Sequence, residues 1–132
     1  HGAFDYDPEH FIFDTPEIMP MFPGCQQSTA PDAEKKDCAD AKMRQCIYQN
    51  IKYPAKAREN GIQGQVIVRF EVTRQGKIEN PVIFRGLGGG CNEEVLRVIN
   101  EMPDWIPAMQ DGTNVASRYT MPVKFILGNI RG

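Results

Sequence analysis

The chain has 132 residues, of which 41% are hydrophobic and 24% charged, and its formal charge is −2. This length suits one domain with a modest core, and the hydrophobic fraction excludes a wholly disordered chain. No run reaches the ~18–20 consecutive apolar residues that a membrane-spanning helix needs. Residues 1–40 carry nine acids and two bases, whereas residues 41–132 carry eight acids and thirteen bases. We therefore predict an acidic, proline-rich N-terminal extension over residues 1–37 and a folded domain over residues 38–132.

The extension contains five prolines, which exclude helix through most of it because proline lacks a backbone N–H donor. They are Pro8, Pro16, Pro20, Pro23 and Pro31. The run Phe11-Ile12-Phe13 is compatible with a strand at a sheet edge. Alternatively, apolar residues of the extension simply lean on the folded domain; these are Met19, Met21 and Phe22.

An amphipathic helix is predicted from about Cys38 to Asn50. Its apolar residues recur at i, i+3, i+4 and i+8 and are Met43, Cys46, Ile47 and Ile51. Asp37 or Asp40 would cap its start. After a Tyr-Pro corner, a second short helix is predicted over residues 54–60, which Gly61 would close in the left-handed conformation.

The clearest strand pattern covers residues 65–72. Within it, Val66, Val68, Phe70 and Val72 alternate with Gln65, Ile67, Arg69 and Glu71, so one face is strongly apolar. Residues 73–76 are predicted to turn, and residues 78–84 to form the returning strand of a hairpin. Pro81 indicates a bulge or an unpaired edge position in that strand.

The remaining elements complete a mixed fold. Asn92 would cap a third helix with an apolar stripe of Val95, Val98, Ile99 and Met102. Residues 104–114 are predicted to be a loop, and residues 115–127 the last strand. Pro122 has no N–H, which indicates that part of this strand lies at a sheet edge. The order of elements predicts an α+β fold with two layers, a small, mostly antiparallel three-stranded sheet with helices packed on one face.

The four cysteines have no Cys-x-x-Cys spacing, which argues against a zinc site or a redox motif. Their even number permits two disulfides in any of three pairings and favours an oxidising, extracytoplasmic compartment. A thiol enzyme would need a base, and the two histidines, His1 and His10, both lie in the extension. Cys91 lies at a predicted helix N-terminus, where the pKa of a thiol can fall, but pairing or packing is the favoured interpretation. We predict no enzyme, no metal and no cofactor.

Two further patterns are weak. The glycine-rich run 86–90 lies between a strand and a helix, but it lacks the Gly-Lys-Ser/Thr ending of a phosphate loop. It is best interpreted as a connection. The basic residues are spread over several elements without a dense patch, so we expect no nucleic-acid partner.

Several short segments, in a fixed order, carry a resemblance to a known family. They read Tyr53-Pro54-Ala55-Lys56-Ala57-Arg58, Gly61-Ile62-Gln63-Gly64-Gln65-Val66, Glu94-Val95-Leu96-Arg97-Val98-Ile99, Met102-Pro103-Asp104-Trp105-Ile106-Pro107 and Tyr119-Thr120-Met121-Pro122-Val123-Lys124-Phe125. With this order and spacing, residues 50–127 resemble the C-terminal domain of TonB energy transducers. Two segments further resemble the Bacteroidetes-type members, Met19-Pro20-Met21-Phe22-Pro23-Gly24 and Asn50-Ile51-Lys52-Tyr53-Pro54. The chain departs from the family pattern at Ala108, where glycine is usual, and at Cys25, which replaces a second glycine.

The resemblance implies a periplasmic domain that is joined to an inner-membrane anchor and works with the ExbB–ExbD motor. It would grip the TonB box of outer-membrane transporters and transmit work derived from the proton-motive force for nutrient uptake. The alternative is a TonB-like interaction domain of another envelope protein, a sensor or a peptidase-associated protein, with a regulatory contact. The opening His1-Gly2-Ala3 is typical of a cut end, so we expect a fragment without its anchor.

The last strand is the expected partner-binding edge, because family members pair the TonB box there by β-augmentation. The expected contact residues are Ser117, Arg118, Tyr119, Thr120, Met121, Val123, Lys124 and Phe125, together with Asn50, Ile51 and Tyr53 beside the Tyr-Pro corner. A buried anchor is the competing interpretation of Tyr53. Edge strands also permit pairing between copies, so a homodimer is a further expectation.

For the cysteines, we predict a disulfide between Cys25 and Cys38 that closes the acidic insertion. Cys46 lies on the apolar stripe of its helix and would reach Cys91. A free, buried thiol is the alternative at Cys46.

Overall fold

The computed structural model describes residues 11–25 and 31–128. Its helices and strands, in chain order, are β1 (Ile12–Phe13), α1 (Asp32–Asn50), α2 (Ala55–Glu59), β2 (Gly64–Val72), β3 (Ile78–Arg85), α3 (Cys91–Asn100), β4 (Ala108–Gln110) and β5 (Thr113–Phe125). His1 and His10 lie outside the described residues. Among the described helices, none has both the length and the apolar character of a membrane span.

The sheet is built around β5. Strands are ordered β1-β5-β2-β3, and β4 also pairs with β5. The β2–β3, β2–β5 and β4–β5 pairs are antiparallel, whereas β1 runs parallel to β5. The predicted α+β class is confirmed, but the sheet has five strands rather than three. The additional strands are β1, which the extension supplies, and β4, which lies in the segment predicted to be a loop.

The core lies between one face of the sheet and the helices. Alternate residues of β2 and β5 are buried, as the period of two predicts; those with fully buried apolar side chains are Val66, Val68, Phe70, Val72, Val115, Val123 and Phe125. Val95, Val98 and Ile99 of α3 and Met43, Ile47 and Ile51 of the α1 region pack in the same cluster. Apolar periodicity in the sequence thus corresponds to the buried face of each of these elements.

Trp105 lies at the centre of an aromatic cluster in this core. Its ring is 5.8 Å from that of Phe22, 5.4 Å from Phe70 and 5.1 Å from Tyr119, in edge-on arrangements. The cluster therefore joins the extension, β2 and β5. Such pairs contribute about 0.5–1.5 kcal/mol each beyond the burial of their area.

The extension runs along the sheet before α1 begins. Ile18 and Met21 exchange backbone hydrogen bonds with Met109 and Ile106. Both interpretations of the extension are found, since residues 12–13 form the edge strand β1 and Phe22 packs on the domain. α1 itself crosses the predicted boundary between residues 37 and 38.

Two helix starts differ from the prediction. α1 begins at Asp32, because the Pro31 carbonyl accepts the N–H groups of both Glu34 and Lys35, so Asp37 and Asp40 lie inside the helix and do not cap it. α3 begins at Cys91, after Gly90 in the left-handed region at φ +95°. Asn92 therefore lies in the first turn, where its side chain accepts the N–H of Leu87 instead of capping.

The β2–β3 hairpin is irregular, as Pro81 indicated. The pairing register shifts at two places, and Asn80, just before Pro81, has a φ of +51°. β3 is also the outermost strand on this side of the sheet. Pro81 thus lies in an irregular segment of an edge strand, where the missing N–H costs no ladder bond.

Glu94 fixes the corner between α1 and α2. Its carboxylate accepts the backbone N–H of Lys52 at 2.7 Å and the guanidinium of Arg97 at 2.7 Å, and Arg97 also donates to the carbonyl of Asn50. The hydrogen bond from Arg97 is the main cause that lowers the pKa of Glu94; burial opposes it, and the Lys52 N–H supports it. The ionised form therefore stabilises the fold.

Replacement E94Q is expected to lower the free energy of unfolding at pH 7 by about 1 kcal/mol. Because the pKa is lowered in the folded state, this stability is present above the unfolded pKa near ~4.3 and is lost as pH falls through the folded value. The difference between E94Q and wild type, measured by urea unfolding, should thus disappear in acid. As control, E101Q removes an exposed partner of Arg97 and should cost less than about 0.5 kcal/mol. A constant E94Q deficit down to pH 2 would contradict the assignment.

Gly76 closes the hairpin where no side chain fits. Its φ is +86°, and a Cβ at this position would lie 2.0 Å from the carbonyl oxygen of Trp105. The Gly76 carbonyl in turn accepts the Trp105 N–H at 2.8 Å. Trp105 can therefore pack in its position only if the residue at position 76 has no side chain, and the turn in return accepts the Trp105 N–H.

Replacement G76A is expected to destabilise the protein by roughly 2–4 kcal/mol, the sum of left-handed strain and an overpacked contact. Gly61 offers a matched control, since its φ is +66° but a Cβ there would meet nothing within 4 Å. G61A should therefore cost only the strain, about 1–2 kcal/mol. Equal losses in thermal unfolding of the two variants would show that the contact with Trp105 does not matter.

Candidate functional site

The outer edge of β5 is open over its C-terminal half. On the inner side, β2 pairs with residues 117–125 without a register shift. On the outer side, β1 pairs only with Ala116 and Ser117, and the short strand β4 pairs with residues 113–115 at the start of β5. Beyond Ser117, no strand of the described residues pairs with this side of β5. The edge position that Pro122 predicted is therefore confirmed.

Alternation along β5 determines which backbone groups face outward. In an antiparallel ladder, every second residue directs its N–H and C=O away from the partner strand. Lys124 is such a residue, because its N–H donates to the Tyr48 hydroxyl of α1 at 2.9 Å rather than to β2. Thr120 and Pro122 have the same parity. The edge therefore offers the N–H and C=O of Thr120, the C=O of Pro122, and an N–H of Lys124 that already has an acceptor.

A groove of about 520 Å³ separates this edge from α1. Its α1 wall consists of Asp40, Met43, Arg44, Ile47 and Tyr48, and its β5 wall of Tyr119, Thr120, Met121, Pro122, Lys124 and Ile126. The α1 residues recur at helical spacing, which brings them to one face. We call this space, lined by these residues, the edge groove. Its volume lies within the range of known ligand sites, ~300–1,000 Å³.

Charged groups surround the edge groove unevenly. At one end, Lys36 pairs with Asp40 at 3.1 Å and lies 5.9 Å from the centre of the Tyr119 ring. Burial raises the pKa of Tyr119; Lys36 opposes this rise and Asp40 adds to it. Arg44 and Lys124 form no ion pair with the described part of the chain. The groove thus combines apolar walls with the cation of Arg44, and the cation of Lys124 lies on the adjoining face of the sheet, where a partner can also reach it.

The predicted contact residues of β5 fall into two sets. Arg118, Thr120 and Lys124 direct their side chains to the uncovered face of the sheet. Ser117, Met121, Val123 and Phe125 are buried in the core, and Tyr119 is half-buried between the core and the groove. The buried residues can contribute backbone atoms at the edge, but their side chains face the helices.

The predicted residues before the Tyr-Pro corner do not line the edge groove. Ile51 and Tyr53 are each only 3% exposed. The Tyr53 hydroxyl donates to the carbonyl of Ile62, and its ring packs on Phe125 at 5.6 Å. This burial favours the anchor interpretation of Tyr53. Asn50 is exposed, but its side chain donates to the Cys46 carbonyl.

The α1 wall is the part of the site that sequence reasoning missed. The sequence pattern places Met43 and Ile47 in the apolar stripe of the helix, and both are buried in the core. Asp40, Arg44 and Tyr48 share that face of the helix at i, i+4 and i+8. This spacing is the available signal, but only the position of α1 beside β5 makes it a wall.

The four cysteines form one disulfide and leave two free thiols. Cys25 and Cys38 form the predicted disulfide, whereas Cys46 and Cys91 are free. The Cys46–Cys91 bond is therefore a wrong prediction: Cys91 lies completely buried at the start of α3, while Cys46 is half-exposed beside Asn50. Burial raises the pKa of both thiols, the reverse of the decrease considered for Cys91. Within residues 11–25 and 31–128, no three metal-ligating side chains cluster.

Comparison with known proteins agrees with this description. Residues 49–127 match the family described as Gram-negative bacterial TonB protein C-terminal. This segment contains α2, α3 and every strand except β1. A search of curated proteins gave no match. Because the match covers more than half of the chain, this protein belongs to the family of TonB C-terminal domains.

Proposed function

We propose that this domain is the periplasmic, transporter-binding end of an energy transducer. The observation that carries the proposal is the open outer edge of β5 in a member of the TonB C-terminal family. An unpaired edge exposes a row of backbone donors and acceptors and is a template for another chain. Here it lies in a groove of suitable size.

Binding would occur by β-augmentation, in which an extended TonB-box segment of an outer-membrane transporter adds one strand to the sheet. The added strand would lie about 4.8 Å from β5 and would bond to the outward groups of Thr120, Pro122 and Lys124. The apolar walls would hold alternate side chains of the segment. Arg44 and Lys124 would attract carboxylates.

The same arrangement supports transmission of force. Inner-membrane anchoring and coupling to an ExbB–ExbD motor would come through a region that precedes the domain, and work derived from the proton-motive force would reach the transporter through the added strand. The proposed role is mechanical and includes no enzymatic step and no cofactor. A regulatory contact of another envelope protein would use the same edge.

Titration of the ¹⁵N-labelled domain with transporter N-terminal peptides tests this function. Binding should shift the amide signals of residues 118–124 and of the α1 wall. Replacement T120P removes an outward N–H at a position where proline fits an edge, and it should weaken binding roughly fivefold or more.

The matched variant T120A keeps the N–H and should weaken binding by less than about threefold. Circular dichroism verifies that both variants are folded. The proposal fails if no TonB-box peptide perturbs residues 118–124, or if T120A and T120P lose affinity equally.

A further inference from the structure

Tyr48 occupies a hydrogen-bonding position of the β5 edge. Its hydroxyl accepts the N–H of Lys124 at 2.9 Å across the edge groove. Tyr48 lies just before the family-matched segment, which begins at residue 49. The contact therefore joins β5, which lies within the matched segment, to the α1 wall of the groove, which lies outside it.

This position is one that an added strand would need. Among the outward residues Thr120, Pro122 and Lys124, which line the edge groove, Pro122 has no N–H, so Thr120 and Lys124 are the two donors. A carbonyl of an added strand at Lys124 would lie where the Tyr48 hydroxyl now lies, because both must approach the same N–H within about 3 Å. The hydroxyl and the carbonyl thus compete.

We propose that Tyr48 gates the edge groove by holding the Lys124 N–H until a strand replaces it; this inference rests on the proposed function. The side chain, rather than the helix, is the moving part. Met43 and Ile47 bury the same face of α1 in the core, and the Cys25–Cys38 disulfide ties the helix to the extension. Tyr48 itself is 38% exposed and can rotate toward solvent.

The gate makes strand length a determinant of affinity. A segment that pairs only near Thr120 leaves the Tyr48–Lys124 hydrogen bond intact. Its affinity therefore does not change when the Tyr48 hydroxyl is removed. A longer segment must break the Tyr48–Lys124 bond before it forms its own. In the free protein, Tyr48 provides an acceptor for the Lys124 N–H. In the complex, that hydrogen bond must break before pairing reaches Lys124, so Tyr48 is a specificity-determining residue.

Replacement Y48F removes the hydroxyl and keeps the ring. In the free protein, hydrogen exchange of the Lys124 amide should accelerate about three- to tenfold, since the loss equals that of one hydrogen bond. A TonB-box peptide that perturbs the Lys124 amide should bind Y48F about three- to tenfold more tightly than wild type, as measured by calorimetry. Q49A is the control for changes in α1, because Gln49 is exposed on the same helix and does not line the groove.

Peptide length supplies a second control. A truncated peptide that no longer perturbs the Lys124 amide should bind Y48F and wild type equally. If the longer peptide binds wild type but binds Y48F no better, the gate is refuted while the proposed function stands. If no peptide binds either protein at β5, the proposed function fails and the gate fails with it. Weaker binding to a folded Y48F would show that Tyr48 only ties α1 to the sheet.

Discussion

The packing of Trp105 is the constraint on which the rest of the molecule depends. Its backbone N–H bonds to Gly76 in the β2–β3 turn, and its ring contacts Phe22, Phe70 and Tyr119. One residue thus fixes a hairpin, the extension and the middle of β5 relative to each other through its backbone and its ring. Because a close-packed interior tolerates little change in volume, none of these three parts can shift alone. The position of the β5 edge follows from this contact.

The extension then determines how much of that edge stays open. β1 pairs with Ala116 and Ser117, and Arg118 pairs with Asp14 at 3.1 Å. Opposite charges of the acidic and basic parts of the chain therefore meet at the boundary of the open segment. Past this point, α1 stands beside the edge without supplying a strand. An edge that is shielded by a helix is less exposed to aggregation, yet the backbone groups remain within reach of a narrow, extended ligand.

The sequence predicted those features that depend on local periodicity. Buried residues alternate along β2 and, apart from the half-buried Tyr119, along β5. Pro122 lacks an N–H donor, so both the strands and the open edge could be predicted from the sequence. β4 could not, because its three residues depend on pairing with β5 and on contacts that the extension makes. The predicted start of α3 was wrong for a similar reason, because the Asn92 side chain accepts the N–H of Leu87 instead of capping the helix. The groove required the position of α1 relative to β5, which no pattern within either element contains.

In the proposed function, β5 would carry force from a strand added at its outer edge to β2 on its inner side. A strand added at the outer edge would be only one strand away from β2, and β2 pairs with β5 through nine consecutive residue pairs. A pull on the added strand would therefore load a continuous ladder that ends in the core around Phe70 and Phe125. The hydrogen bonds at Thr120 and Lys124 are fewer than those of this ladder. Under load the ligand would separate before the domain unfolds, and the Tyr48 hydroxyl is placed to take back the Lys124 N–H when it does.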